Sequence, residues 1–386
     1  MSSSDFLPVC RQDLIDRNIS QVDFVFVSGD AYVDHPSFAS ALLGRLLEAN
    51  GYTVAILAQP DWKDVEVFRQ FGQPKLGFLV SAGAMDSMVS NYTANNKPRS
   101  EDVYAHGGVK GHRPDRATNI YVQKIREAYK GVNVLIGGIE ASLRRTSHYD
   151  YWTNTVKRSI LLDSKADLLM YGMGEHSLLE IAALLREGVP ARQIRGVRGT
   201  CWYTSKKEEI PEDAIWLPSY QDISKNTEES RELFARSYHT QEMNTDAING
   251  KVLVEPADTR FVVQMPAGLP LTTEEFDKVY ELPFTRRWHP MYDEPAENNK
   301  TGIPALSEVK FSLTSCRGCF GACSFCAITF HQGRRIQARS HESLIKEAKR
   351  MTEDKEFKGI YPRCRWSYGK LPPRCLRETG KSRCLS

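Results

Sequence analysis

No run of 18 apolar residues occurs anywhere in the 386-residue chain, so the sequence offers no membrane-spanning helix. The first 18 residues mix Asp5, Arg11, Asp13, Asp16 and Arg17 without a continuous apolar segment, which speaks against a secretory signal. Charge of one sign is scarce: 51 Lys and Arg stand against 48 Asp and Glu, and a formal net charge of +3 is too small to indicate nucleic acid. Neither a G-x-G-x-x-G nor a P-loop is present, so neither a dinucleotide nor a nucleoside triphosphate is implied by motif. Internal repeats and low-complexity tracts are missing too. What is there suits a globular enzyme, with 41% apolar and 26% charged residues in a length that can bury two or three cores. In the cytoplasm, where such a chain is expected, its nine cysteines read as reduced thiols and metal ligands.

Four of those cysteines fall between positions 316 and 326. Cys319, Cys323 and Cys326 have the spacing C-x3-C-x2-C, with the aromatic Phe325 just before the third. Three thiolates on one short glycine-containing loop can bind three irons of a cubane [4Fe–4S] cluster, leaving the fourth iron without a protein ligand. Including Cys316 gives four closely spaced thiols that could instead hold structural zinc. Zinc sites, however, usually pair two separated knuckles so that ligands converge from different directions, and this stretch is cramped for that. Simple buried or redox thiols are the third reading. Cys316 is placed outside the cluster ligands.

The N-terminal part alternates strand and helix. Residues 25–27, 53–57, 76–80, 132–136 and 167–171 read as strands. Phe38, Ala41, Leu42, Leu46 and Ala49 recur at helical spacing up to Gly51, and Leu178, Leu179, Ile181, Ala182 and Leu185 do so up to Gly188. This order predicts an α/β fold with a doubly wound parallel sheet, whose ligands bind beyond the carboxyl ends of the strands. Polar and glycine residues crowd those ends: Ser28, Gly29 and Asp30, then Ser81 and Gly83, then Gly137, Gly138 and Glu140, then Gly172, Gly174 and Glu175. Each turn by itself needs glycine only to bend, but together they suggest a binding rim. Two arginine-rich blocks, residues 112–117 and 144–152, are either solvated surface or holders of a planar or anionic ligand.

Residues 201–304 are more acidic, with strand-like runs only at 248–254 and 260–264. Thr272 or Thr273 is available to cap a following helix. This segment reads as a connector packed between domains. Residues 308–314 alternate like a strand that delivers the cysteine loop, and after it Ser340 caps a helix with the stripe Leu344, Ile345, Ala348 and Met351.

Several separated motifs then converge: VSGDAYVDHPSF over 27–38, PDRAT over 114–118, GGIEASLRR over 137–145 and RGCFGACSFC over 317–326. Together, over about residues 20–358, they resemble the YgiQ-type family of radical SAM proteins. The resemblance implies a Rossmann-like, cobalamin-binding-like domain over residues 1–200, the connector, and the first βα unit of a radical SAM partial (β/α) barrel over 305–359. It implies that S-adenosylmethionine chelates the free iron, that Phe325 shields the cluster, and that a reductant such as flavodoxin or ferredoxin supplies electrons for cleavage to a 5′-deoxyadenosyl radical. The substrate is not named by it. The D-x-H-x-x-G signature of a cobalt-ligating histidine is missing, since Asp34 and His35 are adjacent. After Gly359 the resemblance stops. One permitted codon string for residues 360–373, read one nucleotide later, encodes YIHDVGGPTANFR, which resembles the family's next strand and its GGP motif. Residues 360–386 are therefore expected to be an out-of-frame tail in which Cys364, Cys375 and Cys384 have no designed role, and the chain as it stands to cleave little SAM. The alternatives are a ligand-binding protein with a structural or electron-transfer cluster, and a zinc-stabilised interaction module.

Overall fold

The structure, a computed structural model, describes residues 3–321, 323, 325–359 and 361, with the backbone of 364 and 365. Cys375 and Cys384 lie outside the described residues. The strands are β1 (Phe24–Ser28), β2 (Val54–Ala58), β3 (Gly77–Ser81), β4 (Val134–Gly137), β5 (His148–Asp150), β6 (Thr155–Lys157), β7 (Leu168–Met170), β8 (Thr200–Thr204), β9 (Ile215–Trp216), β10 (Leu253–Ala257), β11 (Arg260–Gln264), β12 (Leu313–Thr314), β13 (Cys316–Arg317), β14 (Gln337–Ala338) and β15 (Cys364–Arg365).

Nine of them form one sheet in the order β2-β1-β3-β4-β7-β8-β11-β10-β9. From β2 to β7 every pair is parallel. Their near-continuous apolar composition fits strands covered on both faces. Alternate residues point opposite ways, so Phe24, Phe26, Ile56 and Leu79 pack with Leu178, Ile181 and Ala182 of the helix Glu175–Arg186. Val25, Val27, Phe78 and Val80 pack with Tyr121, Val122 and Ile125 of the helix Ala117–Ala128 on the other side. This is the doubly wound α/β architecture read from the alternation. Burying each such Val, Leu, Ile or Phe is worth about 1.5–3 kcal/mol. The helices Ala39–Ala49 and Glu175–Arg186 end where the sequence places glycine, at Gly51 with φ 76° and Gly188 with φ 88°.

The segment read as a connector is built into this sheet. It supplies β9, β10 and β11, and with β8 these extend the parallel half, mostly by antiparallel pairing. Strand β11 falls at the expected residues, whereas 248–254 shifts to Leu253–Ala257, joined to β11 through a two-residue turn with Asp258 at φ 55°. Strand β8 has no clear apolar alternation of its own, and it forms because β7 and β11 flank it. Thr272 is the cap of the helix Thr273–Glu281, and the Glu275 carboxylate returns to its N–H.

Residues 308–314 depart from the expected strand. A helix runs over Ala305–Val309, entered through Pro304, and buries Ala305 and Leu306 against the main core, so only Leu313–Thr314 is extended. Strand β12 pairs in parallel with β15, and β13 pairs antiparallel with β14. The helix His341–Thr352 starts at Ser340, whose Oγ accepts from Ser343 N, and buries Ala348 and Met351. Among the described residues no helix is long and apolar enough to cross a membrane.

Two adjacent side chains tie residues 285 and 286 of the 201–304 segment to the turn after β1. Asp34, fully buried, pairs with Arg45 at 2.7 Å and accepts from Thr285 N at 3.0 Å. His35 has both ring nitrogens engaged, Nδ1 by Ser37 N–H at 3.1 Å and Nε2 by Arg286 at 3.0 Å. Burial first, and then Arg286, hold its pKa well below the ordinary histidine value. Both residues are structural fasteners, with no ring nitrogen left for a metal.

Candidate functional site

The cysteine loop starts from a fixed edge. Strand β13 is clamped by β14, and Cys316 within it is buried at 7% exposure. The chain then turns at Gly318, whose φ is 85° and whose added Cβ would stand 2.1 Å from the Arg335 carbonyl oxygen, so no other residue fits without moving the backbone. Cys319 N–H donates to Gly333 O at 3.1 Å, which fixes the near end of the loop. Cys326 N–H donates to Cys323 O at 3.0 Å, and Cys326 precedes the helix Ala327–Gln332 at the far end.

Between these ends Cys319 and Cys326 are half-buried and Cys323 is exposed. Gly321 N–H points at Cys319 Sγ at 3.4 Å, and the Cys323 thiol lies 3.8 Å from Gly321 O. The structure thus puts the three proposed ligands on one accessible loop and holds Cys316 apart in a strand. Among the described residues no three His, Cys, Asp or Glu side chains converge on a single ion. Three thiols on one short loop are the donor set that a cubane with one free iron takes. Phe325, expected as a shield, is 90% exposed on this loop.

Beneath the loop lies an ion pair that sequence spacing does not reveal. Arg317, 6% exposed, donates to Glu175 Oε1 and reaches the Tyr280 hydroxyl at 3.3 Å, while its guanidinium lies over Phe276 at 4.9 Å. Burial opposes its charge, and Glu175 and Tyr280 more than offset that, so its pKa is raised. His331 on the helix Ala327–Gln332 is pushed down to about 4 by burial and by Arg145, and its Nδ1 sits 3.0 Å from Ser142 Oγ. It is therefore a neutral imidazole at pH 7. In the sequence Glu175 closes a glycine turn, and Arg317 is the first residue of the 317–326 motif. Tyr280 and His331 carried no distinguishing signal.

The strand-end rim divides into two kinds of residue. Asp30 is buried against Arg113 at 2.8 Å and accepts from Ala84 N, with burial raising its carboxyl. Arg113 is shared with Asp102, and Glu140 accepts from Ser87 N and Thr118 N. In the second arginine block, Arg144 pairs with Asp86, and Arg145 donates to Gln264 Oε1 at 2.8 Å. These groups are occupied internally, so Arg113, Arg144 and Arg145 act as fasteners. By contrast Gly83, Gly137, Gly138, Gly172, Gly174 and Glu175 line a cavity of about 400 Å3 that also touches Arg317, Ile328 and His331 from the loop side.

A family model described as Radical SAM N-terminal matches residues 6–312. A UPF0313 protein of Clostridium botulinum (strain Kyoto / Type A2) is 53% identical over 359 residues, 93% of this chain and 54% of that protein. One of Clostridium perfringens (strain SM101 / Type A) is 50% identical over 359 residues, covering 93% and 53%. The chain spans about half the length of the curated relatives it matches. A solved radical S-adenosylmethionine methyltransferase, TsrM from Kitasatospora setae with a tryptophan substrate and a SAM analog, aligns with a TM-score of 0.44 at 15% identity, covering 86% of this chain and 45% of that one. That last likeness is too distant to transfer function. The chain belongs to the radical SAM family with this N-terminal domain, as its motifs implied.

Proposed function

From that membership we propose that the protein is a radical SAM iron–sulfur protein in which Cys319, Cys323 and Cys326 hold a [4Fe–4S] cluster with S-adenosylmethionine as co-substrate. The observation that carries this reading is the separation of the cysteines: three thiols on one accessible loop, with Cys316 buried in the strand before it. When bound, the cluster supplies the electron that cleaves the carbon–sulfur bond of SAM to give a 5′-deoxyadenosyl radical. The chain's own residues position the loop. Gly318 and the Cys319 N–H set its near end, and the Arg317–Glu175 pair locks that end onto the sheet. Leu43, Leu79, Ile139, Met170 and Ile328 line the cavity beneath the loop with apolar side chains. A cytoplasmic setting and a flavodoxin- or ferredoxin-like reductant belong to the same proposal.

Anaerobic reconstitution with iron and sulfide tests it. We expect about one [4Fe–4S] cluster per chain, lost in Cys319→Ala, Cys323→Ala and Cys326→Ala and retained in Cys316→Ala. Equal loss from Cys316→Ala overturns the three-ligand assignment. Exposure of Cys323 and Phe325 favours a second reading, a binding protein with an electron-transfer cluster. Formation of 5′-deoxyadenosine from SAM by the protein at the full length of its relatives separates the two.

A further inference from the structure

The cavity of about 400 Å3 lies between the carboxyl edge of the sheet and the helix Ala327–Gln332 that follows Cys326. Its size is within the roughly 300–1,000 Å3 typical of small-molecule sites. It opens where strand order reverses between β1 and β3, the place at which doubly wound sheets take ligands. Leu43, Leu79, Ile139, Met170 and Ile328 give it apolar walls. Its floor must be bare backbone: Gly138 has φ 80°, and an added Cβ would lie 2.4 Å from Ser81 Oγ.

One residue of this lining carries a polar atom without a hydrogen bond. Glu175 lines the cavity and is 2% exposed; its Oε1 is paired with Arg317, and its Oε2 is buried without a hydrogen bond. Leaving a buried acceptor unmet is unfavourable, so the site calls for a donor. The charges narrow its type. Glu175 and Arg317 already cancel, so a neutral O–H or N–H satisfies Oε2 without burying net charge, whereas an ammonium would add an uncompensated one.

We propose that this cavity binds the molecule on which the protein acts, an uncharged organic compound with an apolar body and one hydroxyl or N–H group donated to Glu175 Oε2. The assignment as substrate rests on reading the adjoining loop as the cluster site, whereas occupancy of the cavity does not need the cluster. It is therefore tested on the cluster-free 386-residue chain, with iron loading measured separately. Failure of iron loading alone counts against the cluster reading, and failure of cavity binding alone counts against this one.

The probes are 1-naphthol and 1-methoxynaphthalene, neutral molecules that differ in the donor, with dissociation constants read by saturation-transfer NMR. Naphthol should bind about tenfold more tightly, the effect of one hydrogen bond to a charged acceptor. Gly174→Leu supplies the blocking variant, because Gly174 lines the cavity, has φ −92° and has nothing within 4 Å of an added Cβ, so the larger side chain is accepted without backbone strain. It should weaken naphthol at least tenfold while the melting temperature holds. Equal affinity for the two probes, no binding of either, or undiminished binding to a folded Gly174→Leu overturns the proposal. So does displacement of naphthol by SAM, which would make the cavity the co-substrate's own site. The comparison of the two probes needs no variant and decides even if Gly174→Leu does not fold.

Discussion

Replacing Arg317 by Met should release the cysteine loop from the sheet. The change keeps much of the stem that packs on Phe276 and Tyr280 but leaves the Glu175 carboxylate, 2% exposed, with neither oxygen paired to a charge. Breaking a buried pair from one side costs about 3–5 kcal/mol. Loss of the stacked guanidinium adds about 0.5–2 kcal/mol. Because each 1.4 kcal/mol is a factor of ten, even the lower bound is about a hundredfold in the opening equilibrium. Native-state hydrogen exchange on peptides covering β13, β14 and the start of the helix Glu175–Arg186 reads that change where it occurs. Replacing both partners, Glu175→Met with Arg317→Met, removes the orphaned charge and should recover most of the protection. A loss below about 1 kcal/mol in the single variant, or a double variant as impaired as the sum of the singles, would show that the pair does not hold the loop.

Three further outcomes follow from buried groups and close approaches. Glu255 is fully buried, and burial, opposed by the Ser147 N–H and O–H donors, raises its carboxyl to about 7. A folded-state pKa above the unfolded one gives stability that is present below about pH 4.5 and lost as pH rises through 7, on the order of 3 kcal/mol. Melting curves from pH 5 to 8 should fall for the native protein relative to Glu255→Gln, and parallel slopes would refute the assignment. Gly318→Ala meets the Arg335 carbonyl at 2.1 Å and a φ of 85°, so it should displace Cys319 and reduce iron loading several-fold; full loading would mean the turn is not needed. Gly29→Ala places a Cβ 2.0 Å from the Ala82 carbonyl between the β1 and β3 ends, and should cost about 1–3 kcal/mol in urea unfolding, whereas an unchanged midpoint would count against this close approach.

The features that could be read along the chain are those whose cause is local. Runs such as residues 24–28 are apolar at every strand position because both faces are covered, so β1 to β4 were found within about two residues. The grouping of Cys319, Cys323 and Cys326 is visible because all three sit on one short loop. The family followed from the same contiguous motifs. Thr272 and Ser340 announced helix starts, since a cap bonds only a few residues ahead.

Tertiary structure decided what long-range pairing decides. Strand β8 exists because β7 and β11 lie on either side of it, although their residues are distant in the chain. Residues 305–309 became a helix because Ala305 and Leu306 could be buried that way, against the alternation of the sequence around them. Asp30, Glu140 and Arg113 have the composition of ligand groups, and only their three-dimensional partners show them occupied. Glu175 and Arg317 are 142 positions apart, and no periodicity connects them. A residue's type and immediate neighbours set what it is able to bind, but whether a lone pair or a charge remains available depends on which distant group the fold brings beside it.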